Sequence, residues 1–393
     1  MKQVNKNIVK AAILCIGIQD ISAGAATPAL GVIVEAFPHV NPSIVMMIAT
    51  IPSLCMVLFS PIYAKLTEFM NKKTILRIAI VLFMIGGVAP AFLNDIYLIL
   101  ASRFVFGIAI GFVFPMVIDL VVLLFDGQER QNMLGFIGTV ASIGGILFQT
   151  LGGMLANTDW HYCFFAYLVS IIFFGFSLIF LPEPGKRPRQ VKDGVKHKIV
   201  MTPGAWMFCI MFGFWELFFY VLVTNTSIVI LSENLGTPGS IGIALSLLTV
   251  ASLITSTLYG LISKYTKETT ITLAYILTLA GFIIFYFGHT YGMITGGIIV
   301  VGLGMGLTLP GITAKSTSLV PKESSTFVVS MITTFMGVGA FCETFFLNLI
   351  LNITHQAPGR FPFLVAIIGV AISTVVVAAL SVATSKKKDA DAA

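Results

Sequence analysis

Residues 96–125 read IYLILASRFVFGIAIGFVFPMVIDLVVLLF, and the only charges in the stretch are Arg103 and Asp119. An apolar run of this length suits a helix crossing a bilayer, for which about 20 residues suffice. Residues 291–316, YGMITGGIIVVGLGMGLTLPGITAKS, repeat the pattern, with Gly302, Gly306 and Pro310 standing 195 residues after Gly107, Gly111 and Pro115. A second echo lies nearby. Ile62-Tyr63-Ala64 and Thr74-Ile75 recur 196 residues later as Leu258-Tyr259-Gly260 and Thr270-Ile271. Half of the 393-residue chain is close to that offset, so the sequence reads as two related halves built of membrane helices.

Composition extends this reading to the whole chain. It is 57% hydrophobic and 10% charged, with 33 Phe and a mean hydropathy of +0.98, whereas soluble domains average roughly 25% charged residues. Apolar windows place spans near 8–36, 42–66, 74–93, 96–125, 131–156, 161–181, 204–232, 239–263, 270–289, 291–316, 324–350 and 361–384. The expected fold is an all-α membrane protein of twelve transmembrane helices in two pseudo-symmetric six-helix bundles, 1–181 and 204–393, joined by a basic linker at 182–203. Outside the spans no stretch is long enough to bury a catalytic or nucleic-acid-binding core. The net charge of +6 sits in short loops, where topology demands it, so no nucleic acid is expected as a partner. Five cysteines, Cys15, Cys55, Cys163, Cys209 and Cys342, are an odd number inside or at the ends of apolar runs and read as packing residues, not disulfides.

The opening Lys2, Lys6 and Lys10 followed by apolar and small residues resemble a secretory signal, but Asp20 interrupts the run and eleven spans follow. A retained first helix is expected. Lys65, Lys72, Lys73, Arg77, Arg130, Lys264, Lys267, Lys315, Lys322, the linker's Lys186 to Lys198 and Lys386 to Lys388 fall on the side of the termini, whereas the opposite loops hold only Arg360. The positive-inside rule then puts both termini in the cytoplasm of a multi-pass protein of the inner, cytoplasmic membrane. His39, His161, His289 and His355 fall in the outer loops; sensing of external pH is one reading, solvated loop residues the other.

An ionised side chain at the bilayer centre costs about 2.5–3.5 kcal/mol, so it needs a partner or a use. Asp20, Arg103, Glu216 and Glu343 are the charges that loops do not explain. Asp20 and Glu216 are 196 residues apart, at matched depths of the first and seventh helices. Parallel repeats place the substrate site at the repeat interface near the midplane. A carboxyl there can take a proton from one side and release it to the other as the cavity opens, or it can be a hydrogen-bonded acid pinning two helices. Arg103 reads as a fixed counter-charge, or as a ligand if the substrate is anionic. Gln149 can bond substrate or a neighbouring helix, and Glu343 can line an exit path or sit near the interface. Phe212, Phe214, Trp215, Phe218, Phe219 and Tyr220 surround Glu216. They form either a pocket for a lipophilic cation or a lipid-facing surface. On the helical wheel Phe212 and Tyr220 share the face of Glu216, while Trp215 and Phe219 lie on another.

These features resemble, along essentially the whole chain, the major facilitator superfamily of secondary transporters. Its loop motif G-x-L-A-D-R-x-G-R-K appears as Ala64-Lys65-Leu66-Thr67-Glu68-Phe69-Met70-Asn71-Lys72-Lys73, retaining Leu66, the acid at Glu68 and the basic pair. Arg103-Phe104-Val105-Phe106-Gly107 matches its R-x-x-x-G signature, which the family uses to place a cation near the proton path. Gly135, Gly144, Gly152 and Gly153 match its antiporter pattern in the fifth helix, with Phe148-Gln149 where the family has Gly-Pro. Trp160-His161-Tyr162-Cys163-Phe164 resembles its W-R-x-x-F start to the sixth helix. The resemblance implies gating roles for Glu68, Lys72 and Asp119, the last because the family often has an acid there that meets the loop motif.

The chain has no P-loop, no H-E-x-x-H and no Cys/His cluster, so neither a metal nor another cofactor is expected and an ion or solute gradient must supply the energy. Gly302-Leu303-Gly304-Met305-Gly306 lies within an apolar span with no preceding strand, so it is not a dinucleotide fingerprint. The expectation is a non-enzymatic, proton-coupled transporter of a small organic molecule, working as a monomer by alternating access and resembling the drug and metabolite efflux branch. In it, substrate and proton compete for Asp20 and Glu216. The Phe148-Gln149 departure keeps open an uptake symporter or facilitator for a small organic anion held by Arg103. A membrane-embedded enzyme, and a non-transporting receptor or scaffold, are the readings from other classes.

Overall fold

The structure is a computed structural model that describes residues 5–183, 200–321, 324–356 and 358–392, with side chains for all of these except 326 and 382–392. Lys2, the linker cations from Lys186 to Lys198 and Lys322, used above to argue orientation, lie outside the described residues, as do the side chains of Lys386 to Lys388.

Twelve helices among the described residues are long and apolar enough to cross a membrane. In chain order they are α1 (Lys6–Ala36), α2 (Pro42–Phe69), α3 (Lys72–Phe92), α4 (Ile96–Leu124), α5 (Gly127–Ala156), α6 (Trp160–Phe180), α7 (Pro203–Ser232), α8 (Pro238–Thr257), α9 (Tyr259–Phe287), α10 (Tyr291–Ser318), α11 (Phe327–Thr354) and α12 (Phe361–Ser381). Their ends are written in polar residues. The Asn41 side chain caps α2 ahead of Pro42, Asp95 Oδ1 accepts from the Tyr97 and Leu98 amides, and Thr202 caps α7 ahead of Pro203.

Two helices depart from the expected continuous spans. The first is α-helical over Lys6–Gly17 and Leu30–Ala36, but the twelve residues Ile18–Ala29 between them wind as a 3₁₀ helix. Ser22, Gly24, Thr27 and Pro28 favour this: they are poor helix formers, and Pro28 has no amide hydrogen for the α ladder. The sixth begins as 3₁₀ over Trp160–Val169 and becomes α at Ser170. The boundary between the eighth and ninth spans also moves. Thr257 ends α8, Tyr259–Thr266 form a short helix, and Lys267, at φ 49°, turns the chain into Thr270–Phe287.

The contacts group the chain into two units, Met1–Lys196 with Thr237–Ser246, and His197–Gly236 with Leu247–Ala393. Within the first, α2 and α4 meet so closely that a Cβ on Gly107 would lie 2.6 Å from Cys55 Cβ, and one on Gly111 2.8 Å from Phe59 Cβ. Within the second, the same seam recurs between α8 and α10, where a Cβ on Gly302 would meet Leu248 and Ala251, and one on Gly306 Ser252 and Thr255. Small residues let membrane helices approach for dispersion contacts that lipid cannot replace. The repeated glycines are therefore a repeated packing surface. The second unit is also laced by Arg360, whose guanidinium forks onto Glu233 at 2.5 and 2.6 Å and donates to the Phe285, Tyr286 and Gly288 carbonyls at the end of α9.

Outward-facing Ile172, Ile179, Phe92 and Val375 are each about 70% exposed, which lipid, not water, accommodates. All five cysteines are free; Cys55, Cys163 and Cys209 are buried as packing residues, while Cys342 is exposed. His161 is no simple solvated residue, for its ring stacks on Trp160 and lies between Asp159 Oδ1 at 2.6 Å and Asn94 Oδ1 at 3.1 Å.

Candidate functional site

In the first unit the polar residues gather on the 3₁₀ stretch of α1. A run of twelve 3₁₀ residues is long, and such stretches mark hinges or strain. Asp20 lies in it, half-buried, with Oδ1 shielded from solvent and no hydrogen-bond donor for it among the described residues. Gln19 is fully buried and its Oε1 accepts from Ser170 Oγ at 2.7 Å. Tyr167, from the 3₁₀ part of α6, reaches the Ala23 carbonyl.

Gly144 and Gly152 of α5 make this arrangement possible. A Cβ on Gly144 would stand 2.0 Å from the Ile18 carbonyl oxygen, and one on Gly152 1.9 Å from that of Ala25. Between these two contacts Phe148 is fully buried and stacks on Tyr167 at 6.2 Å. Gln149, one residue on, is half-buried with its amide against Gly24. Gly135, from the same motif, has open space around it.

Arg103 is fully buried in α4. Its Nε donates to the Ile48 carbonyl at 3.2 Å, and its guanidinium lies 4.2 Å from the centroid of Phe106 and 5.3 Å from that of Tyr167. Neither Nη1 nor Nη2 finds a hydrogen-bond acceptor, and no carboxylate pairs with it among the described residues. Asp20 and Arg103 are thus not an ion pair.

In the second unit Glu216 is 6% exposed and takes part in no hydrogen bond or ion pair among the described residues. It packs where α7 crosses α11, since a Cβ on Gly339 would lie 3.1 Å from Glu216 Cβ. Phe212 stacks on Trp215 at 6.0 Å, and Trp215 stacks on Phe219 at 4.9 Å. This array is buried and is tied to α9 by Trp215 Nε1 donating to Thr278 Oγ1. Phe212 and Trp215 are three apart and so are neighbours on the surface of α7, where their broad faces can overlap. Tyr220 is half-buried and Phe214 faces outward. Glu343 is fully buried in α11 and bonded to Thr224 and Thr344.

Of the three residues given a gating role, two meet. Lys72 Nζ lies 3.2 Å from Asp119 Oδ2, with Lys72 fully buried and Asp119 9% exposed, and Tyr63 donates its hydroxyl to the same oxygen at 3.1 Å. Glu68 is exposed and joins no ion pair among the described residues. The second unit holds a pair that the sequence reading missed, Glu268 with Lys315. Adding the repeat offset of 196 to Lys72 and Asp119 finds both. Glu268 keeps the register of its neighbours, and Lys315 is one residue past the 195 register of the α10 glycines.

A family model described as Major Facilitator Superfamily matches residues 12–227 and 217–393. Curated relatives include the bacillibactin exporter of Bacillus subtilis (strain 168), 26% identical over 317 residues that cover 75% of this chain and 78% of the relative. Quinolone resistance protein NorA of Staphylococcus aureus (strain COL) is 23% identical over 331 residues, 81% of this chain and 84% of the relative. Among solved structures, a bacterial homologue of the human lysosomal transporter Spinster superposes with a TM-score of 0.78 at 13% identity over 97% of this chain and 98% of that one. A D-xylose-proton symporter gives 0.71 at 14% identity over 94% and 96%; at such identities these likenesses concern the fold alone. Twelve membrane helices, a packing seam repeated in both units and a family match spanning nearly all of the sequence agree: this multi-pass membrane protein is a transporter that belongs to the Major Facilitator Superfamily.

Proposed function

We propose that the protein exports a small organic molecule in exchange for protons by alternating access, with 1–181 and 204–393 as its two bundles. The observation that carries the reading is Asp20 with Glu216. Asp20 Oδ1 is shielded from water and Glu216 is 6% exposed, neither residue has an ion-pair partner among the described residues, and they stand 196 residues apart in the repeat. A carboxyl left without a partner at such depth costs several kcal/mol when ionised, so its retention favours a use. In the cycle, a proton and the substrate compete for these acids. Protonation on one side expels the substrate, and deprotonation on the other resets the site. Asp20 is on the 3₁₀ stretch, where a change of winding can accompany its change of charge. Gln149, Phe212 and Tyr220 line the substrate path, Arg103 is a counter-charge, and Lys72 with Asp119 and Glu68 gate it. The names of the exporter and the quinolone resistance protein add support for efflux. In this reading the protein works as a monomer in the inner membrane, with both termini cytoplasmic.

The test is flux in proteoliposomes under an imposed pH gradient. The compound followed is the one that most stabilises the protein against heat, chosen from lipophilic cations, organic anions and sugars. Asp20→Asn and Glu216→Gln are each expected to abolish the acceleration by the gradient; acceleration retained by both variants overturns the assignment. One observation favours a second reading, uptake of a small organic anion. Arg103 keeps two buried guanidinium nitrogens without an acceptor, so a substrate carboxylate or phosphate would satisfy them. That reading requires anions to be the stabilising class and Arg103→Gln to remove the stabilisation.

A further inference from the structure

Thr224 Oγ1 has three polar neighbours. It lies 2.9 Å from the Tyr220 carbonyl oxygen, 2.9 Å from Glu343 Oε1 and 2.9 Å from Asn225 Nδ2, and Thr224, Asn225 and Glu343 are all fully buried. The Asn225 amide can only donate there, so the hydroxyl accepts from it. A hydroxyl carries one hydrogen, yet two acceptors, the Tyr220 carbonyl and Glu343 Oε1, face it. With Glu343 ionised, one of those contacts is oxygen against oxygen with no hydrogen between. With Glu343 as the neutral acid, Oε1–H donates to Thr224 Oγ1, the Thr224 hydroxyl donates to Tyr220, and Oε2 accepts from Thr344 Oγ1 at 3.1 Å, so every contact carries a hydrogen. Among the described residues, the ion pairs of the second unit, Glu268 with Lys315 and Glu233 with Arg360, do not involve Glu343.

We infer that Glu343 carries a transferable proton, a second proton-exchange site on the α7–α11 seam that also holds Glu216. The two acids are linked along that seam. Gly339, against which Glu216 packs, is one turn from Glu343 on α11, and Thr224 is two turns from Glu216 on α7. Release is balanced as follows. The O–H bond of Glu343 breaks, the proton leaves on a water molecule as hydronium, and the Thr224 hydroxyl swings from the Tyr220 carbonyl to donate to the new carboxylate. Asn225 Oδ1, buried and without a donor among the described residues, offers an acceptor for that water. On α7, Glu216, Tyr220 and Cys209 are the titratable groups. On α10, packed against α11, they are Tyr291 and Lys315, at opposite ends, and Lys315 is held by Glu268. Cys342, next to Glu343 on α11, faces outward.

As a coupling site Glu343 rests on the proton-exchange reading above, but its proton can be tested without transport. The purified full chain is titrated by infrared difference spectroscopy, following the carbonyl stretch of protonated carboxyl groups. Comparison with Glu343→Gln is expected to show one band that disappears reversibly as pH rises and is missing from the variant. Thr224→Val, which keeps the acid and removes its acceptor, should shift that band and its pH midpoint. It also serves if Glu343→Gln does not fold. A Glu343 band that persists at every pH, or is absent at every pH, overturns the inference. Gradient-driven flux separates the two proposals: a titrating band with no gradient-driven flux sinks proton coupling and leaves the site, whereas gradient-driven flux without a titrating band does the reverse.

Discussion

The Lys72 ammonium lies 3.2 Å from the Asp119 carboxylate inside the first unit, and in the second unit the residues 196 positions later, Glu268 and Lys315, form an ion pair with the charges exchanged. Tyr63 supports Asp119, and Tyr259 occupies the corresponding position of the other half. The repeat has therefore conserved an attraction between two helix ends without conserving its sign.

The two pairs differ in burial, and this sets their worth. Lys72 is fully buried and Asp119 nearly so, whereas the side chains of Lys315 and Glu268 are 16% and 34% exposed. Breaking a buried pair strands a charge at about 3–5 kcal/mol, while exposed pairs contribute about 0–1 kcal/mol. Lys72→Ala is expected to lower the thermal midpoint in detergent by far more than Lys315→Ala. The exchange Lys72→Asp with Asp119→Lys should recover part of the loss, because the other unit shows that this frame accepts the reversed pair. An exchange no more stable than Lys72→Ala would contradict this account.

The glycines of α5 should not be equivalent. Gly135 faces open space, so Gly135→Ala is expected to be neutral or to stabilise by up to about 1 kcal/mol, the ordinary helix-interior gain. Gly144→Ala and Gly152→Ala each drive a methyl into a carbonyl oxygen of α1, 2.0 and 1.9 Å away as the backbones stand. Both should lower the thermal midpoint and the yield of folded protein; equal behaviour of all three would refute the close approach.

Much of this was legible in the sequence, and the reasons are physical. Hydrophobic length reports bilayer crossing directly, so α4 and α10 could be read to within a few residues. The offset of 196 was equally plain, and it pointed to Asp20 and Glu216. Applied to identical residue types it overlooked Glu268 and Lys315, because an ion pair is preserved when both partners change sign. The 3₁₀ winding of α1 was not legible either. Ser22, Gly24 and Pro28 weaken an α-helix, but what fixes Ile18 and Ala25 against α5 is backbone contact with Gly144 and Gly152, far away in sequence.

A pH effect is expected at the Asp159 loop between α5 and α6. The His161 backbone amide, and then the His161 ring, hold the Asp159 carboxyl below its ordinary range. A lowered folded-state value contributes stability above the unfolded value and loses it as pH falls through the folded one. Asp159→Asn should thus be less stable than the parent at neutral pH, and the gap in thermal midpoint should close as pH falls through the carboxylate range. A gap that widens toward acid would contradict the sign.

In the proposed cycle, proton and substrate displace each other at Asp20 and Glu216. This displacement is tested most directly by adding the stabilising compound to weakly buffered, purified protein and recording pH with an indicator dye. Binding is expected to release protons from the parent chain, with release reduced in Asp20→Asn and in Glu216→Gln and lost when both are replaced. Undiminished release from the doubly substituted chain, or binding to the parent with no proton release at any pH, would contradict it.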